Sequence, residues 1–325
     1  MPKFDESQMK SALSAIREAR RKSSSVQQVD PSERARILAN RRAIEKLVAS
    51  AYAKAGLEIE QFDKILAQNQ TELRRISEKQ RADAVKFASS IKDTLRYGVE
   101  NRRKTLDHLT TITSSFAPNY VLLNAPFLIW TTPGMFFDNS QTVPSNSWAK
   151  VKVQSEHPLK PSGSEDLSFY FLWENPSDRY AVANVDAYLV LNGFLQADAP
   201  GGFFAGDRRS TVSVKASFYL LEWWNQPPTQ PSWQVDQSRD ALSVSAYAGD
   251  MFDDYHIASD SVFRGYDLRY EFFLIPPNGV VVFEVTMNVS YGAGQDNGGH
   301  GSILADFDSG DLEVICPAVL VAVLT

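Results

Sequence analysis

The chain has 325 residues, of which 43% are hydrophobic and 22% are charged. This composition excludes an intrinsically disordered or fibrous protein and supplies enough apolar residues for a large core. The length favours two domains over one. Cys316 is the only cysteine, which excludes a disulfide within the chain and favours a reducing compartment.

Charge and aromatic residues are distributed unevenly along the chain. Residues 1–115 carry 23 Lys and Arg against 15 Asp and Glu, a net charge of +8, whereas residues 116–325 carry 10 against 24, a net charge of −14. All six tryptophans follow residue 116. Two compositions in one chain predict two domains, a helical one over residues 1–116 and a β-rich one over residues 117–325.

No targeting or membrane segment is visible in the sequence. The start, Met1–Glu6, has no apolar core of a signal peptide. The longest nearly apolar run, Ile315–Leu324, is about half the ~20 residues that a membrane-spanning helix needs. We therefore expect synthesis in the cytoplasm without a signal peptide, with any release by lysis or a non-classical route.

Two helices are predicted before residue 57. The first covers residues 5–22, with Met9 and Leu13 on one face at helical spacing. The second begins at the N-cap residue Asp30, which precedes a proline at the first helical position, and it ends at Gly56 as the C-terminal cap.

A much longer helix is predicted from Glu58 to Thr113, with no proline and with Gly98 as its one interior glycine. Its ~56 residues would reach roughly 84 Å at 1.5 Å per residue. Because that length exceeds the diameter of a compact domain, we expect the helix to project as a stalk or to lie along partner helices. Whether it folds back on the second helix or continues it is left open.

An apolar seam with heptad spacing follows this helix. It runs through Phe62, Leu66, Asn69, Leu73, Ile76, Gln80, Ala84, Phe87 and Ile91 and continues through Leu95, Val99, Arg102, Leu106 and Leu109. The polar residues Asn69 and Gln80 either fix the register of a buried seam or face solvent. Since isolated helices owe most of their stability to packing, the seam predicts a homo-oligomeric coiled coil, with a trimer favoured over a dimer.

Basic doublets such as Arg74–Arg75 recur along the same helix. A nucleic-acid-binding face is one interpretation. A solvated helix flank is favoured, because acidic residues such as Glu72 and Glu78 alternate with the doublets. The positive charge is better explained by attraction to the acidic C-terminal half, in the same chain or in a neighbouring one.

The hydrophobic period changes from about 3.6 to 2 after Pro118. Nine segments read as strands rich in Val, Phe, Tyr and Leu: 120–131, 149–154, 167–173, 181–191, 211–223, 242–247, 268–275, 280–291 and 312–323. No helical pattern separates them, so we expect an antiparallel, jelly-roll-like β-sandwich. Pro276–Gly279 is predicted as a turn between two long strands.

No catalytic motif is present, which favours a protein that is not an enzyme. Cys316 lies in an apolar strand and is predicted to be buried. Two acidic groups are candidates for calcium, which prefers six to eight oxygen ligands, with turn capping as the alternative. These groups are Asp250, Asp253 and Asp254, and Asp306, Asp308 and Asp311.

The segment 222–233 is the strongest candidate for ligand binding. Its candidate residues are Glu222, Trp223, Trp224, Asn225 and Trp233. Adjacent side chains on a strand point to opposite faces, so one tryptophan of the pair is a candidate for an exposed platform. Flat aromatic faces beside Asn and Glu suit a sugar ring or a protein partner. The alternative is a core tryptophan beside a loop.

Together these features predict a non-enzymatic structural or attachment protein that displays β-sandwich heads on a self-associating stalk. Display in several copies would raise the avidity of weak contacts to a glycan or protein. One alternative is a toxin or effector whose helical half rearranges to engage a membrane. A second is a hydrolase that uses the aspartate groups.

Overall fold

A computed structural model describes residues 6–24, 39, 43, 46–47, 49–56, 58–111, 119–137, 147–155, 162–201, 208–224, 230–249, 253–293 and 301–324. Helix α1 spans Glu6–Ser24 and helix α2 spans Ile59–Thr110. The 52 residues of α2 correspond to about 78 Å. Residues 49–54 are also helical, and Gly56, with φ of +79°, follows them as the predicted terminating residue.

Fourteen strands are present in the described part of the chain. They are β1 (Asn119–Leu123), β2 (Leu128–Thr131), β3 (Phe136–Phe137), β4 (Trp148–Ala149), β5 (Val151–Ser155), β6 (Ser162–Glu174), β7 (Ala181–Ala199), β8 (Arg208–Trp223), β9 (Trp233–Ala248), β10 (His256–Ile275), β11 (Val280–Ala293), β12 (Ser302–Phe307), β13 (Glu313–Ile315) and β14 (Val319–Leu324). They form one sheet of nine strands and one of five.

The long strand β7 organises the nine-stranded sheet. Strand β10 pairs along one edge of β7, while β14, β13 and β12 follow one another along its other edge. Strands β1, β4 and β5 pair with these three in turn, and β3 closes the sheet next to β5. The five-stranded sheet has the order β2–β6–β11–β8–β9. All pairs are antiparallel, as the sequence predicted.

The two sheets enclose the main hydrophobic core, so the fold is an antiparallel β-sandwich. Leu189 and Leu195 of β7 face Phe218 of β8 and Phe283 of β11 in one buried cluster. Cys316 belongs to the same cluster, as predicted, and burial raises the pKa of its thiol. The turn at 276–279 is also present, with Asn278 at φ of +55°, and it carries the chain from β10 in one sheet to β11 in the other.

Helix α1 covers the outer face of the five-stranded sheet. Met9 and Leu13 are buried there against Tyr170, Leu221 and Trp223. The amphipathic pattern predicted for residues 5–22 is therefore satisfied by the chain's own sheet.

Helix α2 lies along the outer face of the nine-stranded sheet, which corrects the expectation of a projecting stalk. Ala84 and Ala88 pack with Phe194 of β7 and Leu312 in a small buried cluster. Phe87 meets Phe263 of β10 edge to face at 4.8 Å between ring centroids. A stripe of small apolar residues fits a flat sheet as well as another helix, and the sequence pattern alone does not distinguish the two surfaces.

The buried face of α2 also departs from the predicted seam. Phe62, Leu66, Asn69, Leu73 and Ile91 are partly buried, but Ile76, Gln80 and Phe87 are exposed. Their neighbours Ser77 and Ala88 are buried instead, and Ala84 of the predicted seam is also buried. The described residues form no coiled coil, and self-association through this helix stays a prediction.

Ion pairs join α2 to the sheet along much of its length. Arg81 binds Asp306, Lys92 binds Asp311, Arg96 lies 3.6 Å from Glu313, and Arg102 binds Asp267 at 2.5 Å. The predicted attraction between the basic helix and the acidic half is confirmed, and it acts within one chain.

Candidate ligand-binding sites

The adjacent tryptophans at the end of β8 lie in opposite environments. Trp223 is 1% exposed and packs beneath α1, whereas 57% of Trp224 is exposed. Successive side chains of a strand point to opposite faces, and α1 covers only one of them. Trp223 is thus the core tryptophan and Trp224 the exposed aromatic face.

Hydrogen bonds fix the position of Trp224. Its indole Nε1 donates to Oε1 of Glu222 at 2.9 Å, and its backbone N–H donates to Oγ of Ser232 at 3.2 Å. The backbone N–H of Ser232 in turn donates to the carbonyl oxygen of Glu222 at 2.8 Å. Because the indole is already held, little conformational freedom is lost when a ligand stacks on it.

The remaining residues predicted for this site are placed differently. Asn225 lies outside the described residues, and so does the side chain of Trp233, whose backbone begins β9. The structure therefore brings Glu222 and Trp224 together, adds Ser232 to them, and assigns Trp223 to the opposite face.

Glu222 is a buried carboxyl group, 1% exposed, beneath the exposed indole. Burial raises its pKa from 4.5 to about 7, and the hydrogen bond from Trp224 partly opposes that rise. The folded-state pKa lies above the unfolded one. The stability that Glu222 contributes is therefore complete below about pH 4.5 and is lost as the pH rises through about 7.

Replacing Glu222 by Gln should remove this pH dependence, because the amide does not ionise and its oxygen still accepts the indole N–H. Between pH 4.5 and 7 the free energy of unfolding of the wild type should fall relative to that of Glu222→Gln. Urea denaturation at a series of pH values measures both curves. Parallel curves for the two proteins would show that Glu222 titrates normally.

The first acidic group is engaged by the chain itself. Asp253 accepts hydrogen bonds from the backbone of Gly249 and Asp254 and lies 3.0 Å from Nε2 of His256. The side chain of Asp254 accepts from Asn69 of α2 at 3.2 Å. The backbone bonds of Asp253 fit the turn-capping interpretation. Asp250 lies outside the described residues.

The second acidic group also binds α2. Asp306 and Asp311 pair with Arg81 and Lys92, while the carbonyl oxygen of Asp308 lies 3.5 Å from Nζ of Lys150. Within the described ranges, no group of three or more His, Cys, Asp or Glu residues is placed to hold a metal ion. These carboxylates anchor the helix.

A pocket of about 490 Å³ lies between α2 and the outer face of the nine-stranded sheet. Its lining includes Gln70, Arg74 and Glu78 from α2, and Gln196 and Asp198 from β7. Sequence reasoning missed this pocket, because the helix and strand that form it are far apart in the chain and the helix was expected to leave the sheet.

Asp198 organises the floor of this pocket. It is 5% exposed and accepts hydrogen bonds from Oη of Tyr255 at 2.7 Å, Oγ of Ser302 at 2.9 Å and Nε2 of Gln196 at 2.8 Å. Burial, together with the charge of Asp198, raises the pKa of Tyr255 to about 12. The phenol therefore stays protonated and donates to the carboxylate.

A smaller cavity of about 270 Å³ lies between α1 and the five-stranded sheet. The guanidinium of Arg17 stacks 4.1 Å from the ring centroid of Trp130. Arg20 binds the buried Glu284 at 2.8 Å, and Glu284 also accepts from Oη of Tyr170. These contacts tie α1 to the sheet.

No protein-family profile and no curated protein matches the chain. Solved structures that resemble part of it include the carbohydrate-binding module TmCBM61 in complex with β-1,4-galactotriose (11% identity, 62% of this chain and 90% of that chain, TM-score 0.21). Another is the winged bean acidic lectin in complex with methyl-α-D-galactose (6% identity, 63% of this chain and 99% of that chain, TM-score 0.25). A third is TmCBM27, a carbohydrate-binding module that recognises mannan (14% identity, 62% of this chain and 98% of that chain, TM-score 0.23).

In the described residues no helix is both long and apolar enough to cross a membrane.

Proposed function

We propose that this protein is a non-catalytic carbohydrate-binding protein in which Trp224 is the platform that stacks on a sugar ring. The observation that supports this best is an indole that is 57% exposed and yet held by Glu222. An exposed aromatic face that is already fixed in position can cover apolar surface on a ligand at little entropic cost. The C–H faces of sugars supply the apolar surface that a flat, fixed indole can cover.

Display in several copies remains part of this proposal. One aromatic platform binds weakly, and joining platforms raises avidity without any new contact. Ile65 and Ile76 of α2 are 52% and 41% exposed, and Phe87 is 49% exposed. These three residues are spaced eleven apart and so lie almost in line on the helix. A trimer or dimer of the chain would cover this line.

Replacing Trp224 by Ala should weaken glycan binding at the platform, because the stacking surface is lost. The full chain would be tested on a glycan array, and the glycans retained would be titrated by calorimetry. We expect the affinity to fall at least tenfold, about 1.4 kcal/mol, while the fold is kept.

Tyr180→Ala is the matched control, since Tyr180 is an aromatic residue of similar exposure at 60%. That variant should bind like the wild type. A wild-type chain that retains no glycan, or a Trp224→Ala variant that keeps full affinity, would refute this function.

A further inference from the structure

We infer that the pocket between α2 and the nine-stranded sheet is a second binding site, and that it takes a neutral, hydroxyl-rich small molecule such as a mono- or disaccharide. The inference goes beyond the Trp224 platform and does not depend on it.

The pocket and the platform lie at opposite ends of the sandwich. Gly301 lines the pocket and lies so close to β8 that a Cβ on it would clash with Oγ of Ser210. Trp223 ends the same strand thirteen residues later, about 43 Å away at ~3.3 Å per residue. One ligand of monosaccharide or disaccharide size does not span both.

The size and chemistry of the pocket suit a small polar ligand. Its volume of about 490 Å³ falls within the roughly 300–1,000 Å³ of typical small-molecule sites. Three amide side chains line it, those of Gln70, Gln154 and Gln196. An amide both donates and accepts hydrogen bonds, which matches a hydroxyl group, since that group does the same.

The charge balance of the pocket disfavours anions. Arg81 is committed to Asp306 outside the lining, at 2.7 Å from Nε to Oδ2. The charge of Arg74 is opposed by Glu78, one helical turn further along α2, and by Asp198 on the floor. Among the described lining residues no positive charge is left over to compensate a phosphate or carboxylate, and desolvating an unpaired anion here would be costly.

The carboxylate on the floor of the pocket already has hydrogen-bond partners in the protein, whereas some polar side chains at the rim can still bond to a ligand. Asp198 accepts three hydrogen bonds from the protein. In contrast, the side chains of Gln70 and Glu78 face the pocket without a hydrogen-bond partner among the residues that the structure describes. Gln70 can donate to or accept from one sugar hydroxyl, and Glu78, about 12 Å further along the helix axis, can accept from another.

Because α2 supplies one wall of the pocket, occupancy and helix docking are linked. A ligand that contacts both walls binds only the docked arrangement and stabilises it by mass action. Ligand binding should therefore slow hydrogen exchange in the middle of α2, a response that stacking on Trp224 would not produce.

The test uses hydrogen–deuterium exchange of the full chain with millimolar glucose, galactose, mannose, cellobiose or lactose. Glucose 6-phosphate and glucuronate serve as anionic probes of matched size. We expect a neutral sugar to slow exchange in residues 68–82 and the anionic probes to leave it unchanged. Gln70→Ala should raise at least tenfold the sugar concentration needed for that protection. The substitution should not disturb the fold, because within the described ranges the Gln70 side chain has no hydrogen-bond partner.

Arg75→Ala is the matched control, since its side chain is 67% exposed and pairs with Glu72 on the surface of the same helix. Trp224→Ala should keep the protection of α2, which separates this site from the platform. The inference is overturned if no neutral sugar of the panel protects residues 68–82, if an anionic probe protects them better, or if Gln70→Ala responds like the wild type.

Discussion

Replacing Arg81 by Ala is expected to release α2 from the sheet and to lower the free energy of unfolding by about 3 kcal/mol. Arg81 binds Asp306, whose side chain is fully buried. Without the guanidinium, a buried carboxylate loses its counter-charge, and removing one partner of such a pair costs about 3–5 kcal/mol. The loss should be near the lower end, because Asp306 keeps hydrogen bonds from the backbone of Asp308 and Ser309.

Urea denaturation followed by far-UV circular dichroism measures this loss, and hydrogen exchange over residues 77–88 localises it to the helix. Burial alone would raise the pKa of Asp306, but the bonds from Ser309 and Asp308 and the charge of Arg81 hold it below its usual value. The variant should therefore also raise that pKa. Arg75→Ala removes an exposed arginine from the same helix and should leave unfolding unchanged. If both variants unfold alike, the Arg81 pair does not hold the helix.

The sequence identified the long helix and its stripe but not the surface that the stripe covers. The hydrophobic periodicity shows which face of the long helix is apolar. It does not show whether another helix or a sheet covers that face. The better indication was charge: residues 1–115 carry a net charge of +8 and residues 116–325 one of −14, which favours contact between the two parts. The small residues Ala84 and Ala88 point the same way, since they allow the close approach that a sheet requires.

Strand prediction succeeded where both faces are buried and failed where one face is polar. Strand β11 begins at Val280 as predicted, because it opens with the apolar run Val280–Phe283, which is buried on both faces. Strand β10 begins at His256, twelve residues earlier than predicted, because its first half carries Ser259 and Asp260 rather than an apolar alternation. The single strand predicted over 120–131 is two strands in different sheets, interrupted near Pro126, which has no N–H for a ladder.

The two candidate sites also differ in how far the sequence alone could predict them. Trp224 was accessible to sequence reasoning, because strand alternation alone assigns adjacent tryptophans to opposite faces. Which of the two is buried depends on α1, a distant segment. The pocket beneath α2 depends wholly on tertiary contacts, and residues such as Gln70 and Gln196 carry no local signal.

Replacing Trp223 by Ala should lower the free energy of unfolding by about 3–5 kcal/mol, the usual loss for truncating a buried tryptophan. Trp223 fills the space between α1 and the five-stranded sheet, where it packs with Met9, Leu13 and Leu221. Truncation leaves a cavity beneath the helix and should release α1, so exchange in residues 9–16 should accelerate. Urea denaturation gives the free energy and hydrogen exchange gives the location.

The neighbouring Trp224 provides a direct comparison. Its replacement by Ala should impair sugar binding and leave the packing of α1 intact, whereas Trp223→Ala should do the reverse. Trp224→Ala removes an exposed ring and one hydrogen bond to Glu222, which should cost only about 1 kcal/mol. It should weaken sugar binding at the platform while leaving exchange in α1 unchanged. Trp223→Ala should keep its sugar affinity wherever the protein is still folded. Equal losses of stability from both substitutions would contradict the packing of α1 on Trp223, because only one of the two side chains lies beneath that helix.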